Sequence, residues 1–325
     1  MTAATERDLP LDGAGLGSPE WGGFDRSRAR RERPADLWRA FRTAAGLGWQ
    51  MEANWTDPFL FFIYSVAKPL SATFILVVML DIISGGNTDP AYRAFVVVGT
   101  ALWAIVLAGI AGLAWTVLDD RERYRMLKYV YVSPSEFVVV LLGRGVARLA
   151  VGAMGGIITI GVGILLLGVP FDPAAVDWPL LVVVMVLGLG AVTAIGLLLA
   201  AVCLQTRQES WSYPEALAGA LFLVSGAVFP LAVLPDALQA VGLLSPLSWW
   251  IEGVRHAVFP GGLSSIGGPD SLWLAWTGSP APGPETIVFA LLLTGTLVTL
   301  AATGVFRASE RRAKDRGLLD RTTGS

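Results

Sequence analysis

The chain is sparing with residues that do chemistry. It has three lysines, Lys68, Lys128 and Lys314, one histidine, His256, and one cysteine, Cys203. None of the lysines follows a GxxxxGK[ST] run, so no phosphate-cradling loop of that kind is present. His256 has Arg255 beside it and no second imidazole to complete a metal site, which favours a structural or solvated ring. Cys203 stands alone in an apolar run, so it can form neither an intrachain disulfide nor a thiolate cluster and reads as a small buried side chain. Acid–base catalysis needs convergent titratable groups, yet the runs Ala94–Leu118, Leu180–Leu204 and Thr286–Phe306 carry no charge at all. What remains is Lys68 within an apolar run, Asp81 and Glu215 near the ends of others, and a basic string from Arg121 to Lys128.

The elements that must position these groups are six apolar stretches: Phe59–Ile83, Ala94–Leu118, Leu149–Val169, Leu180–Leu204, Pro214–Leu234 and Thr286–Phe306. Each is long enough at about 1.5 Å per residue to cross roughly 30 Å of hydrocarbon. The composition agrees, with 54% hydrophobic residues, 15% charged and a mean hydropathy of +0.60, values foreign to a soluble domain of this length. The expected fold is therefore an all-α polytopic membrane protein with six transmembrane helices spread over 58–306. Positive charge sets its orientation. All but Lys68, Arg93 and Arg255 of the 24 lysines and arginines fall in the N-terminal tail, the second-to-third and fourth-to-fifth connections, and the C-terminal tail. Because such charges resist translocation, both termini are expected in the cytoplasm and the chain in the cytoplasmic (inner) membrane. The net charge of −2 averages a basic face with a faintly acidic one and implies no nucleic-acid partner.

Residues 1–34 are rich in Gly, Pro and Arg without an apolar core, which predicts a disordered cytoplasmic tail and not a cleavable signal peptide; residues 307–325 form a second cytoplasmic tail. Over 35–57 the pattern becomes amphipathic, with Leu37, Trp38, Phe41, Ala45 and Trp49 on one helical face and Arg39 and Arg42 on another. Such a helix lies in the membrane interface or packs on a cytosolic partner. Lys68-Pro69 interrupts the first span, where the ammonium either faces a polar cavity or snorkels to an interface.

Between the second and third spans, Asp119 to Glu136 predicts a short cytoplasmic helix. In projection Tyr124, Leu127 and Tyr131 make an aromatic stripe beside a basic one of Arg121, Arg125 and Lys128. That surface suits a groove on a partner protein, or anionic lipid. Arg144 and Arg148, four residues apart, share a face and can anchor to lipid phosphate, pair with Asp119 and Asp120, or hold a substrate headgroup. The third span carries Gly152, Gly155, Gly156, Gly161 and Gly163, and the sixth Gly295, Thr299 and Thr303, small residues that let helices approach within one subunit or at a dimer contact.

The stretch from Ser225 to Arg255 is the most distinctive. Phe229-Pro230 and Leu234-Pro235 break the helix, Asp236–Leu244 is apolar but too short to span, and Ser245-Pro246 breaks the chain again. Backbone interrupted at membrane depth must be buried in protein or line a cavity, so a re-entrant pair of half-helices between the fifth and sixth spans is expected, with an amphipathic surface loop as the other possibility. Trp249 and Trp250 then sit at the interface.

On these residues the chain resembles the permease subunit of ABC-2 type ABC exporters over about Leu37 to Phe306. The resemblance rests on Ser225-Gly226-Ala227, Leu234-Pro235, Pro246-Leu247 and Arg255; Val224 and Trp249 depart from the pattern. It implies an interfacial elbow helix at 35–57 and an ATPase-coupling helix bearing Arg121, Tyr124, Arg125, Leu127, Lys128 and Tyr131. It also implies a substrate path or outer gate drawn from Lys68, Glu215, Phe229, Pro230, Leu234, Pro235, Pro246, Trp249 and Arg255. The implied partners are a separate cytoplasmic ABC ATPase that binds ATP and Mg, a second permease in a homodimer or heterodimer, and membrane lipid; the chain itself would bind no cofactor and be no enzyme. The cargo would be amphipathic: a drug or antibiotic, a lipid or a lipid-linked glycan. An ion-coupled carrier or channel is the rival, and it would usually show acids within its spans; a membrane-embedded lipid-modifying enzyme is a more distant one.

Overall fold

A computed structural model describes residues 34–53, 57–132, 136–206 and 212–315. The expected tails, up to residue 33 and from residue 316, lie outside the described residues. Every regular element among those described is helical: α1 (Pro34–Ala53), α2 (Pro58–Ile83), α3 (Pro90–Leu118), α4 (Leu127–Val132), α5 (Phe137–Leu166), α6 (Trp178–Gln205), α7 (Ser212–Val224), α8 (Asp236–Leu244), α9 (Pro246–Val258), α10 (Leu272–Thr277) and α11 (Pro284–Asp315). Several start at a proline placed one residue after a capping side chain. Asp57 accepts from the Phe59 amide, Asp89 from Ala91 and Ser245 from Leu247, so the donors orphaned at α2, α3 and α9 are met before the apolar run begins.

Among the described residues, four helices stand out as long and apolar enough to cross a membrane: α3 with the turn that follows it, α5, α6 and α11. Helix α2 carries the first expected span as one helix of 26 residues, of which Leu70–Ile83 is described as an apolar helix. The fifth stretch, expected to run to Leu234, is helical only over the 13 residues of α7; it stops at Val224, where Gly226 turns the chain at φ 70°. At the third stretch the helix begins earlier than expected, at Phe137, which puts Arg144 and Arg148 on α5 itself. The last helix runs past Phe306 to Asp315, held by Ser309, whose hydroxyl donates to the Ala201 carbonyl of α6.

Helix α3 is the hub. Of its apolar window 78% is buried, against 28–39% for the other three long helices. Packing inside lipid is not driven by escape from water, so close backbone approach matters most. Here α5 supplies it: a Cβ at Gly152 would lie 2.4 Å from Ala108, and one at Gly163 2.5 Å from Val97. Helix α1 uses the same device on α5, since a Cβ at Gly48 would meet the Arg144 backbone and one at Gly143 the Phe41 carbonyl. The face of α1 turned to protein is thus Ala44 and Gly48, while Trp38, 63% exposed, and Trp49 point away from the bundle.

Candidate functional site

Two constellations stand at opposite ends of α3. The first is the charged turn after Leu118. Asp119–Arg123 continue α3 as a single π-helical turn, closed by the Tyr124 amide on the Asp119 carbonyl, and the chain then reverses at Arg125 with φ 49°. The expected continuous helix from Asp119 is therefore broken; only the six residues of α4 follow. Ion pairs explain the break. Asp120 is buried against Arg144, and Arg148 lies between Asp119 (2.9 Å) and Glu52 (2.8 Å), so α5 grips the first two residues of the turn while α1 holds Arg148 from its other side. Of the roles open to Arg144 and Arg148, the geometry shows pairing with these acids.

Arg121 is tucked inward as well. Its guanidinium donates to the carbonyls of Cys203 (3.0 Å) and Thr206 (2.9 Å), filling acceptors left open at the C-terminal end of α6, and also reaches Glu122. Leu127 is buried too. Neither sits on an outer stripe with Tyr124. Lys128 and Tyr131 lie on α4. Among the described side chains, those exposed here are Arg123, Tyr124, Arg125 and Tyr129, two of which, Arg123 and Tyr129, the helical projection passed over because it assumed no reversal at Arg125.

The second constellation is the interrupted chain after α7. A 3-10 turn, Leu231–Val233, separates the breaks at Pro230 and Pro235, and α8 and α9 meet at Pro246. Helix α9 is sunk between α6 and α11. Gly188 of α6 makes room for it: an added Cβ would lie 2.0 Å from the Trp250 ring. Arg255, 4% exposed, binds three backbone carbonyls, Gly226 (2.7 Å), Ala227 (2.6 Å) and Phe95 (2.8 Å), with its guanidinium 3.5 Å from the centre of the Phe95 ring. It therefore fastens the α7 turn to the start of α3. Trp249 is buried, donating to the Leu243 carbonyl and lying edge-on to Trp273. Pro246 is buried, Phe229, Pro230 and Leu234 are half-buried, and Pro235 is exposed, as are Lys68 on α2 and Glu215 on α7.

Sequence reasoning missed Glu252. It is buried and accepts from the Ser264 hydroxyl (2.5 Å) and from the amide and hydroxyl of Ser265 (both 2.6 Å), which pins the long connection after α9. Its available signal was Glu252 three residues before Arg255 in an otherwise apolar helix. A cavity of about 420 Å3 opens here, walled by Phe95, Asp172, Glu252, Arg255, His256 and Phe259 among others. Among the described residues no cluster of His, Cys, Asp and Glu could hold a metal ion.

A turn gripped at one end of a hub helix thus faces a buried, proline-broken hairpin at the other. The family model for the ABC-2 type transporter matches residues 44–259, from the middle of α1 to the end of α9. The chain belongs to the ABC-2 type transporter family. Both constellations lie inside the matched segment, whereas α10 and α11 lie beyond it. No curated protein matches the chain. As an ABC-2 type protein it is a multi-pass membrane component of an ABC transporter; it is the transport part of such a machine and not an enzyme itself, and the family implies an ABC ATPase as partner.

Proposed function

We propose that this chain is the permease subunit of an ATP-driven exporter that moves an amphipathic substrate outward across the cytoplasmic membrane. The observation that carries the reading is the charged turn. Its base is clamped by Asp119, Asp120 and Arg121, while Arg123, Tyr124, Arg125 and Tyr129 are exposed. A surface meant to be pushed needs that combination of a held base and an exposed face. In this reading the turn and α4 dock on the ATPase, which alone binds ATP and Mg; α1 is the interfacial elbow; α2 and α7 complete six crossings; α8 and α9 form the re-entrant outer gate; and both termini are cytoplasmic, as the placement of arginine favours.

Two copies are then needed, as a homodimer or with a similar permease, and the substrate path runs along their seam past Lys68, Glu215 and Phe229. Closure of the paired ATPases would draw the two turns together and shift the helices as rigid bodies. The test is reconstitution with the cognate ATPase. Replacing Tyr124 and Tyr129 by glutamate is expected to abolish complex formation and substrate-stimulated ATP hydrolysis; unchanged hydrolysis would overturn the assignment, and transport driven by an ion gradient without ATP would replace it with a carrier.

A further inference from the structure

Between α1, the π-helical turn and α5 lies a cavity of about 240 Å3, walled by Glu52, Asp119, Arg123, Tyr124, Arg144 and Arg148 among others. Its charges are unevenly placed. Arg148 is shared by two carboxylates, Glu52 and Asp119, so that cluster holds one negative charge in excess. Arg144 is already neutralised by Asp120. Arg123 lines the same cavity with no carboxylate partner among the described residues, its guanidinium 5.5 Å from the centre of the Tyr124 ring. A surplus anion and a surplus cation thus share one small cavity. Arg144, 7% exposed, also has no partner for its Nε, so the buried polar wall is incompletely satisfied by the chain alone.

The cavity sits where the uncharged run of α3 ends at Leu118 and where the last turn of α1 crosses α5, the depth at which a spanning helix passes from hydrocarbon to headgroups whichever way the protein is oriented. A lone phosphate would confront Glu52 and Asp119, and a lone cation would confront Arg123. A small ligand carrying both charges satisfies each wall.

We propose that this cavity binds a phosphoethanolamine group, its phosphate against Arg123 and the Tyr124 hydroxyl, its primary ammonium against Glu52 and Asp119. Three N–H donors distinguish that ammonium from a choline group, which has none, and a phosphoglycerol group lacks the cation altogether. The group has two sources: the headgroup of phosphatidylethanolamine, or a soluble glycerol ester. The proposal depends on the helices crossing a bilayer and not on the direction or fuel of transport.

Native mass spectrometry of the full chain can test it after extraction from vesicles holding equal amounts of phosphatidylethanolamine, phosphatidylcholine and phosphatidylglycerol with matched acyl chains. One phosphatidylethanolamine per chain is expected, preferred over phosphatidylcholine by about tenfold, the scale of one charge-assisted hydrogen bond. The preference should vanish in the Glu52→Gln, Arg123→Gln double variant, whose folding is checked by its thermal unfolding. Displacement of the lipid by an equal concentration of glycerophosphoethanolamine would assign the site to the soluble ester, and its persistence would assign it to the lipid. Equal retention of the ethanolamine and choline lipids by the unmodified chain, which requires no variant to fold, would overturn the proposal, as would an undiminished preference in the double variant.

Discussion

The two ends of α3 are held by different physics. At the arginine-rich turn, carboxylates and guanidiniums from α1, α5 and the turn itself meet as side chains, and Glu52, Asp119 and Arg148 remain partly exposed. At the other end the buried Arg255 grips backbone carbonyls, and glycines set the helix spacing. Side-chain ion pairs can exchange partners with little backbone movement. A guanidinium bound to three carbonyls from two separate elements cannot let go without leaving all of them unsatisfied. One end is therefore built to adapt and the other to keep its shape.

The comparison breaks most easily at Gly99. A Cβ there would fall 1.7 Å from the Ala227 carbonyl oxygen and 2.3 Å from Arg255, so Gly99→Ala should destabilise the chain by more than about 3 kcal/mol and lower its yield in membranes, read by thermal unfolding in detergent. Next in size is Arg255→Lys. A single ammonium keeps the charge but lacks the fork that reaches Gly226, Ala227 and Phe95 together, with an expected loss of about 2–3 kcal/mol. An equal stability after this change would show that the carbonyl grip is not what closes that end.

At the adaptable end, Asp120→Asn leaves Arg144 buried without its counter-charge and should cost on the order of 2 kcal/mol, while Asp120→Asn combined with Arg144→Met should recover much of the loss; a double-mutant cycle measures the coupling. Smallest of all, Tyr124→Glu and Tyr129→Glu should change stability by no more than about 0.5 kcal/mol, because both side chains are exposed, yet should remove coupling to the ATPase. A large stability loss there would mean that the turn is a structural part and not a docking face.

Helix starts were the most legible part of the sequence, since Asp57-Pro58 and Ser245-Pro246 carry both a cap and a fixed φ in two letters. The break points at Pro230, Pro235 and Pro246 were legible for the same reason. Pairings between distant residues were not. That Gly99 and Gly188 would each admit a large side chain or a carbonyl from elsewhere in the fold depends on which helices become neighbours, and no local pattern reports it. Periodicity also misled at Arg121 and Leu127: a 3.6-residue projection presumes a continuous helix, whereas one π-helical turn and a left-handed residue at Arg125 rotated both inward. The fifth stretch shows the limit of hydropathy, which sees that Ser225–Leu234 is apolar but not that Gly226 bends it.

Between Phe95, held by Arg255, and Asp119, held by Arg148, α3 runs as an unbroken α-helix with no proline inside it. That stretch is about 36 Å long at 1.5 Å per residue. A rod of that length tilted by about 5° about its middle would swing each tip by about 1.5 Å, the scale of shift by which packed helices switch between discrete arrangements. In the proposed exporter, a tilt at the charged turn would reach the proline-broken hairpin as displacement of the helix itself.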